Sequence, residues 1–172
     1  RRRELPYRLR KYDPDLIEFG DQHGSILLSP RYQGRIFGHI EGQLVHRLDD
    51  ALLDGPPREG FNNVGGNYVF PAPEGGPFAF NYLKSRPDWV VQPAFNTQNP
   101  RVIARDAASA VVEKDVTLEN RQGMNVAFRF RRTLRPIEVD PAARALDLRG
   151  IRYEVVDEFE PRGEYAVDRV LL

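Results

Sequence analysis

The residues whose types could do chemistry concentrate between positions 60 and 77. Amide, carboxylate and aromatic side chains alternate there with glycine and proline, and they are Phe61, Asn62, Asn63, Asn67, Tyr68, Phe70 and Glu74. Trp89 follows further along the chain. Planar amides and carboxylates bind pairs of sugar hydroxyls, and aromatic rings pack against the C–H faces of sugars. The segment therefore indicates a carbohydrate site, while asparagines in Gly-Pro loops can equally bond to their own backbone.

The three histidines, at positions 23, 39 and 46, offer a second set of candidates. Glu41-Gly42 predicts a tight hairpin turn, because glycine tolerates a positive φ, and His39 and His46 flank that turn. Their rings could approach each other to hold a metal, or one could act as an acid or base. Ordinary surface or core histidines are the simpler interpretation. Since no clear third ligand accompanies the pair, we predict no metal site and no cofactor. His46 and Glu74 stay as candidate catalytic residues.

The composition argues against several functional classes. Lys and Arg total 25 and Asp and Glu total 25, so the zero net charge gives no general attraction to nucleic acid or to an anionic membrane. The absence of cysteine excludes disulfides and thiol catalysis. No apolar run approaches the roughly 18 residues of a membrane span. Phosphate-binding loops and the common hydrolase motifs are missing. We expect neither a nucleic-acid nor a membrane partner.

Alternation with a period of two dominates the elements that must position these residues. Between 124 and 131, apolar residues alternate with polar or small ones, which predicts one buried and one solvated face and places the basic run Arg129–Arg132 on a charged outer face. Strands are predicted over 25–28, 33–40, 43–48, 77–83, 101–104, 110–118, 124–134 and 151–159, with short helical segments over 49–53 and 140–146. Short strands broken by turns predict an all-β, antiparallel β-sandwich with few short helices.

The chain divides into an N-terminal arm, residues 1–19, and one sandwich domain, residues 20–172. Six basic residues within positions 1–15 favour a solvated arm. Leu5, Tyr7 and Leu9 alternate with polar residues, which would instead fit an edge strand. The only methionine is Met124, and the chain ends in an apolar run at Leu172. We therefore expect a piece of a longer protein, with the sandwich incomplete at its C-terminus.

Three stretches of the sequence share their order with a known superfamily. They are Ile-Leu-Leu-Ser-Pro-Arg-Tyr-Gln-Gly-Arg-Ile at 26–36, Phe-Asn-Asn-Val-Gly-Gly-Asn at 61–67 followed by Phe-Pro-Ala-Pro-Glu-Gly-Gly at 70–76, and the paired strands of 110–134. Over residues 20–135 they resemble the galactose-mutarotase-like superfamily, above all its uncharacterised bacterial members, with Phe70 where tryptophan is common.

The resemblance implies a twisted two-sheet fold, the β-supersandwich, that is associated with carbohydrate chemistry. Characterised mutarotases open and close a sugar ring with a histidine acid and a late glutamate base. That histidine motif is not visible here, and the late glutamate segment lies outside the chain. By position, the resemblance places Arg35, Asn62, Asn63 and Glu74 near the cleft.

Sugar binding is the expected function, at a concave face lined by Arg35, Asn62, Glu74 and Trp89. If the protein is an enzyme, an isomerase of the aldose 1-epimerase type is expected. The alternatives are a non-catalytic interaction or accessory domain of a larger protein and a metal-dependent enzyme that uses His39 and His46.

Overall fold

A computed structural model describes residues 4–21, 23–55, 57–146 and 149–163. In chain order the elements are α1 (Glu4–Tyr12), β1 (Ile17–Gly20), β2 (Gly24–Ser29), β3 (Arg35–Ile40), β4 (Gln43–Leu44), a 3-10 turn (Asp50–Leu52), α2 (Pro93–Asn96), β5 (Arg101–Arg105), β6 (Ala110–Glu119), β7 (Asn125–Ile137), α3 (Pro141–Ala145) and β8 (Arg152–Pro161). The strands form two four-stranded antiparallel sheets, which confirms the predicted all-β sandwich with few short helices. Within these residues no helix is long and apolar enough to cross a membrane.

The first sheet runs β1-β2-β3-β4 and is covered on both faces. Alternate residues of β2 and β3 point to opposite sides, and every residue of β2 is buried, which explains its continuous apolar run. The turn between β3 and β4 has positive φ values at Glu41 (49°) and Gly42 (81°), the hairpin geometry that the sequence predicted. β4 is only two residues long, so His46 lies beyond the paired region.

The second sheet runs β5-β6-β7-β8 and is built on three long strands. Val112 pairs with Arg132, and Arg132 pairs with Asp157, so these three side chains share one face. This inner face carries the even-numbered residues of β6 and β7 and the odd-numbered residues of β8. Arg129 and Arg131 lie on the outer face as predicted, where Arg131 pairs with Glu113 at 2.9 Å.

Two apolar clusters cover the inner face of the second sheet. At one end it packs on the first sheet, and this inter-sheet cluster contains Ile17, Phe19, Ile26, Leu28, Ile36, Ala110, Val112 and Leu134, with Tyr153 and Val155 against it. At the other end it packs under the irregular loops and α2, and this loop-covered cluster contains Val91, Ala94, Phe95, Val116, Leu118, Phe128 and Phe130, with Phe61 and Phe70 against it. The irregular 61–70 segment is therefore held on a rigid sheet.

The N-terminal residues differ from both sequence-based expectations. They form α1, in which Leu9 is fully buried against Leu27 and Phe37 of the first sheet. Pro6 is tolerated in the first turn, and Arg10 and Lys11 stand in the last turn, where positive charge is favourable. The edge-strand alternative is thus wrong. The proposed domain boundary after residue 19 falls inside β1, and the arm's first three residues and the terminal residues 164–172 lie outside the described part.

Residues 77–83 are the second difference, because they form no strand. The only bridge recorded near them joins Leu83 to Arg86, and the backbone instead follows turns through Ala79 and Asn81. Pro77 cannot donate to a sheet ladder, which disfavours regular pairing at the start of this segment. The short helical segments are confirmed: Asp140 accepts the Ala142 N–H at 2.8 Å at the start of α3, as an N-cap does.

Candidate functional site

Four aromatic rings from the irregular segments form a cluster, called here the aromatic platform: Phe61, Tyr68, Phe70 and Trp89. Phe61 is central, with ring centroids 6.3 Å from Tyr68, 5.7 Å from Phe70 and 5.9 Å from Trp89. The three neighbours are tilted or edge-on, the arrangement that aromatic quadrupoles prefer. Trp89 is 42% exposed, so the platform presents part of an indole ring to solvent.

Glycines let residues 61–70, called here the platform loop, approach the first sheet closely. Gly65 and Gly66 have positive φ values of 93° and 75°. A Cβ at Gly65 would lie 1.9 Å from the Arg47 carbonyl oxygen, so no other residue fits there. Asn67 then exchanges two backbone hydrogen bonds with Ile36 of β3, at 2.8 and 2.9 Å. The loop is consequently fixed to the sheet immediately before Tyr68.

Arg35 lies fully buried beneath this loop. Its guanidinium donates to the Gly65 carbonyl at 2.8 Å, to the Asn62 carbonyl at 3.3 Å and to the Asn63 side chain at 3.3 Å. The same group stacks on the Tyr68 ring, 3.7 Å from its centroid. Burial lowers the pKa of Arg35 to about 10, which leaves it charged at neutral pH. Arg35 therefore positions the loop and Tyr68 from below.

Asn62 and Asn63 also serve the loop. The Asn62 side chain accepts from the Arg58 N–H at 2.8 Å and donates to the Arg58 carbonyl and to Asn96, at 2.9 and 3.2 Å. The Asn63 side-chain oxygen accepts from Arg35 and from the Gly65 N–H. Asn62 thus has its hydrogen-bonding capacity largely occupied by protein groups, and the oxygen of Asn63 is occupied likewise, which is the alternative that the sequence had left open.

Asn67 and Glu74 have exposed side chains. Burial raises the pKa of the Tyr68 phenol, and the negative charge of Glu74 raises it further, while Arg35 opposes both effects. Glu74 therefore lies near enough to influence the platform electrostatically. Of the expected concave face, the structure gathers Glu74 and Trp89 around the platform and places Arg35 and Asn62 beneath it.

The sequence analysis did not identify a group of buried cations next to Tyr68, called here the cationic cluster: Arg35, Lys114 and Arg132. Lys114 is only 5% exposed, and its ammonium donates to the carbonyls of Ala94 in α2 and of Gln98. Burial and, to a smaller extent, the charges of Arg132 and Arg35 together lower the pKa of Lys114 to about 7. Lys114 therefore titrates near neutral pH.

Arg132 joins the two sheets. It binds Asp157 through two hydrogen bonds of 2.7 and 2.8 Å, and it donates to the Gly34 carbonyl at 3.0 Å. With 2% exposure it faces inward, so the predicted charged outer face is wrong for this member of the Arg129–Arg132 run. The alternation predicts the inward direction of both side chains. Arg132 follows Phe128 and Phe130 at intervals of two residues, and Lys114 lies in the same way between Val112 and Val116.

A small cavity connects the aromatic platform with the cationic cluster. Its volume is about 10 Å³, and it is lined by Gln33, Tyr68, Val69, Phe95, Lys114, Phe130 and Arg132. That space accommodates a group the size of one water molecule. Gln33, Tyr68 and Val69 of this lining are half-buried, whereas Phe95, Lys114, Phe130 and Arg132 are buried.

No hydrogen bond joins His39 to His46 in the described part of the chain. His39 bonds through Nε2 to the Ser25 hydroxyl at 2.8 Å, whereas Nε2 of His46 lies 3.5 Å from the Tyr153 hydroxyl. Burial lowers the pKa of His46. Among the described residues, no group of three or more His, Asp or Glu could hold a metal ion. Ser25 also donates to Glu18, at 2.9 Å. In a nucleophilic triad the carboxylate bonds to the histidine, whereas here Glu18 bonds to the serine, so Ser25, His39 and Glu18 do not form a triad.

A separate cleft of about 510 Å³ opens at the edge of the inter-sheet cluster. Its lining includes Phe19, Ile26, Ile137 and Ile151 and the charged residues Asp21, His23, Glu138, Arg149 and Arg152. Glu41 binds both His23 and Arg149, at 2.9 Å each, so these two lining residues already have a partner within the protein. The cleft contains none of the predicted sugar-binding residues.

Comparison with protein families gives one finding. Residues 7–156 match a family described as a family of unknown function, DUF6786. Neither the curated proteins nor the solved structures contain a match to the chain.

Proposed function

The chain belongs to DUF6786, a family of unknown function, and we propose that it binds carbohydrate at the aromatic platform. The observation that carries the proposal is the cluster of four rings with Trp89 42% exposed at its edge. Aromatic faces exposed beside polar groups are suited to the C–H face of a sugar. The mutarotase-like resemblance leads to the same expectation.

Polar side chains beside the platform can supply the hydroxyl contacts. Glu74 is exposed and can accept two hydroxyl donors. The amide oxygen of the half-buried Gln33 accepts from Arg35 at 3.2 Å and its nitrogen donates to Asn99 at 3.5 Å, which leaves this side chain one N–H donor and one oxygen lone pair. The rings are held by a fully buried Arg35 and by a loop fixed to β3, so the surface is preorganised for a ligand. Preorganisation lowers the entropic cost of binding.

Ring opening would need an acid and a base on one sugar. The two sequence candidates do not form such a pair, because His46 contacts Tyr153 at the inter-sheet cluster and Glu74 lies near Tyr68 at the platform. We therefore propose that the function is sugar binding, since His46 and Glu74 do not form the acid–base pair that an activity of the aldose 1-epimerase type would need.

Calorimetric titration with a panel of neutral and acidic mono- and oligosaccharides tests the proposal. We expect at least one sugar to bind and Trp89→Ala to weaken it about tenfold, because the exposed indole is lost. Leu146→Ala is the matched control, since Leu146 is a 73% exposed apolar residue outside the platform. An unchanged affinity in Trp89→Ala, or no binding of any sugar, would contradict the proposal and favour an accessory-domain role.

A further inference from the structure

The cationic cluster carries more positive charge than the surrounding protein balances. Arg35, Lys114 and Arg132 are 0%, 5% and 2% exposed. Within the described residues, the only carboxylate bound to them is Asp157, which pairs with Arg132. Buried charges in proteins are normally paired, because desolvation without a counter-charge is costly. Arg35 and Lys114 instead bond to neutral oxygens.

Structural roles account for only part of this arrangement. Lys114 holds α2 through the Ala94 carbonyl, and Arg35 holds the platform loop through the Gly65 carbonyl. A neutral donor would serve either purpose without electrostatic repulsion. The proximity of the three cations lowers the pKa of Lys114 below what burial alone would give. Because the three positive charges repel one another, an anion that binds from outside the protein would offset this repulsion.

The small cavity gives such an anion a place. Lys114 and Arg132 form part of its wall, and Tyr68 links it to the aromatic platform. An ammonium has three N–H donors, and the Ala94 and Gln98 carbonyls occupy two of those of Lys114. The volume of about 10 Å³ suits a single oxygen atom that projects from a larger group bound outside.

We propose that the carbohydrate bound at the platform is an acidic sugar, with one anionic oxygen of its substituent seated in the cavity between Lys114 and Arg132. This inference rests on the proposed function, because the sugar ring would occupy the platform while its charged substituent reaches past Tyr68. A uronate carboxylate and a sugar phosphate share the required chemistry, an oxygen that carries negative charge and accepts hydrogen bonds from cations.

Paired calorimetric titrations of the whole chain test the inference. The probes are glucuronate, glucose 6-phosphate and glucose, together with galacturonate and galactose. We expect an acidic sugar to bind about tenfold or more tightly than its neutral counterpart, as charge-assisted hydrogen bonds predict. A preference for the uronates alone or for the phosphate alone would identify the substituent, and either result supports the inference.

Lys114→Met tests the assigned site, because methionine fills the same space without charge. We expect this variant to reduce the preference for acidic over neutral sugar about tenfold. Lys84→Met is the matched control, since Lys84 is exposed and lies outside the cavity lining, and it should keep the wild-type preference. Circular dichroism of both variants establishes that they are folded.

Two results separate failure of this inference from failure of the proposed function. Equal binding of acidic and neutral sugars would overturn the acidic-sugar inference and leave carbohydrate binding intact. A Lys114→Met variant that keeps the full preference would also overturn it. If no sugar of either kind binds, the proposed function itself fails.

Discussion

Lys114 occupies a strand position that the alternation of β6 assigns to the apolar face. Its neighbours in register, Val112 and Val116, are buried as the pattern requires. Lysine is rarely buried without a carboxylate partner. The consequence is an amine whose protonation depends on the pH of the solution near neutrality, beside a platform that we propose binds sugar.

Burial of Lys114 predicts a pH-dependent stability. The pKa is about 7 in the folded protein and 10.5 in an unfolded chain, so between these values the unfolded state binds more protons. The free energy of unfolding should therefore rise with pH from about 7 to 10, by at most about 1.4 kcal/mol per pH unit, and be flat below 7 with respect to this group. Urea unfolding at a series of pH values measures it.

The Lys114→Met variant is expected to lack this rise of the free energy of unfolding with pH, because methionine has no group that titrates. Lys84→Met should reproduce the wild-type pH profile. Identical pH profiles for Lys114→Met and wild type would show that the lysine keeps an ordinary pKa in the fold.

Acidic-sugar binding should also depend on pH through the same amine. Arg35 of β3, Arg132 of β7, Asp157 of β8 and Tyr68 of the platform loop are the charged and titratable groups that surround Lys114. Arg35, with a pKa of about 10, stays charged near neutrality, so the change falls on Lys114, whose pKa is about 7. We expect affinity for glucuronate to weaken as pH rises from 6 to 9, by about tenfold, and affinity for glucose to stay level. A level glucuronate profile would contradict the role of Lys114.

At the scale of the element, the platform loop is stabilised by its own asparagines. Asn62 ties the loop to the Arg58 backbone and to Asn96. Residue type alone predicted a loop with repeated turns, and the structure has one. The contact with Asn96 could not be predicted from the sequence, because Asn96 is 34 residues away along the chain and meets Asn62 only in the tertiary structure.

Substitution of Asn62 with alanine should destabilise the protein by about 1–3 kcal/mol, since the buried Asn62 side chain loses its hydrogen bonds to the Arg58 backbone and to Asn96. Asn67→Ala is the matched control within the same loop. Its side chain is exposed, so its free energy of unfolding should stay within about 0.5 kcal/mol of wild type. Chemical unfolding measures both, and equal effects would contradict the structural role assigned to Asn62.

At the scale of the whole molecule, Arg132 is the polar link between the two sheets. It lies on β7 and reaches Asp157 on β8 and the backbone at Gly34, next to β3. It stands where the inter-sheet cluster gives way to the loop-covered cluster. Arg132 thus links the inter-sheet cluster, which holds the two sheets together, to the loop-covered cluster, which lies under the candidate site.

Breaking this link should destabilise the fold more than breaking a surface pair on the same strand. Asp157→Asn is expected to lower the free energy of unfolding by about 3 kcal/mol, because it leaves the buried Arg132 without its counter-charge. Glu154→Gln is the control, since the Arg135–Glu154 pair is about half exposed and should contribute less than about 1 kcal/mol. Thermal and urea unfolding compare the two variants, and similar losses would contradict the linking role.

The architecture could be predicted from the sequence because apolar and polar residues alternate with a period of two in each of the long strands. β6, β7 and β8 lie close to the predicted ranges, and the inner face is the one the apolar residues mark. The alternation of Leu5, Tyr7 and Leu9 misled because three positions do not distinguish a strand from a helix that buries Leu9. The cationic cluster was missed because charged residues are normally assigned to the solvent face.

A sugar that packs on the aromatic platform should change the surroundings of the Trp89 indole, and the fluorescence emission of Trp89 should report that change. The chain contains one tryptophan, so fluorescence of the folded protein reports on this residue without substitution. During titration with a sugar that binds by calorimetry, the account predicts a change in Trp89 emission that saturates with the same dissociation constant. Binding that leaves the emission unchanged throughout would place the sugar elsewhere and contradict the account.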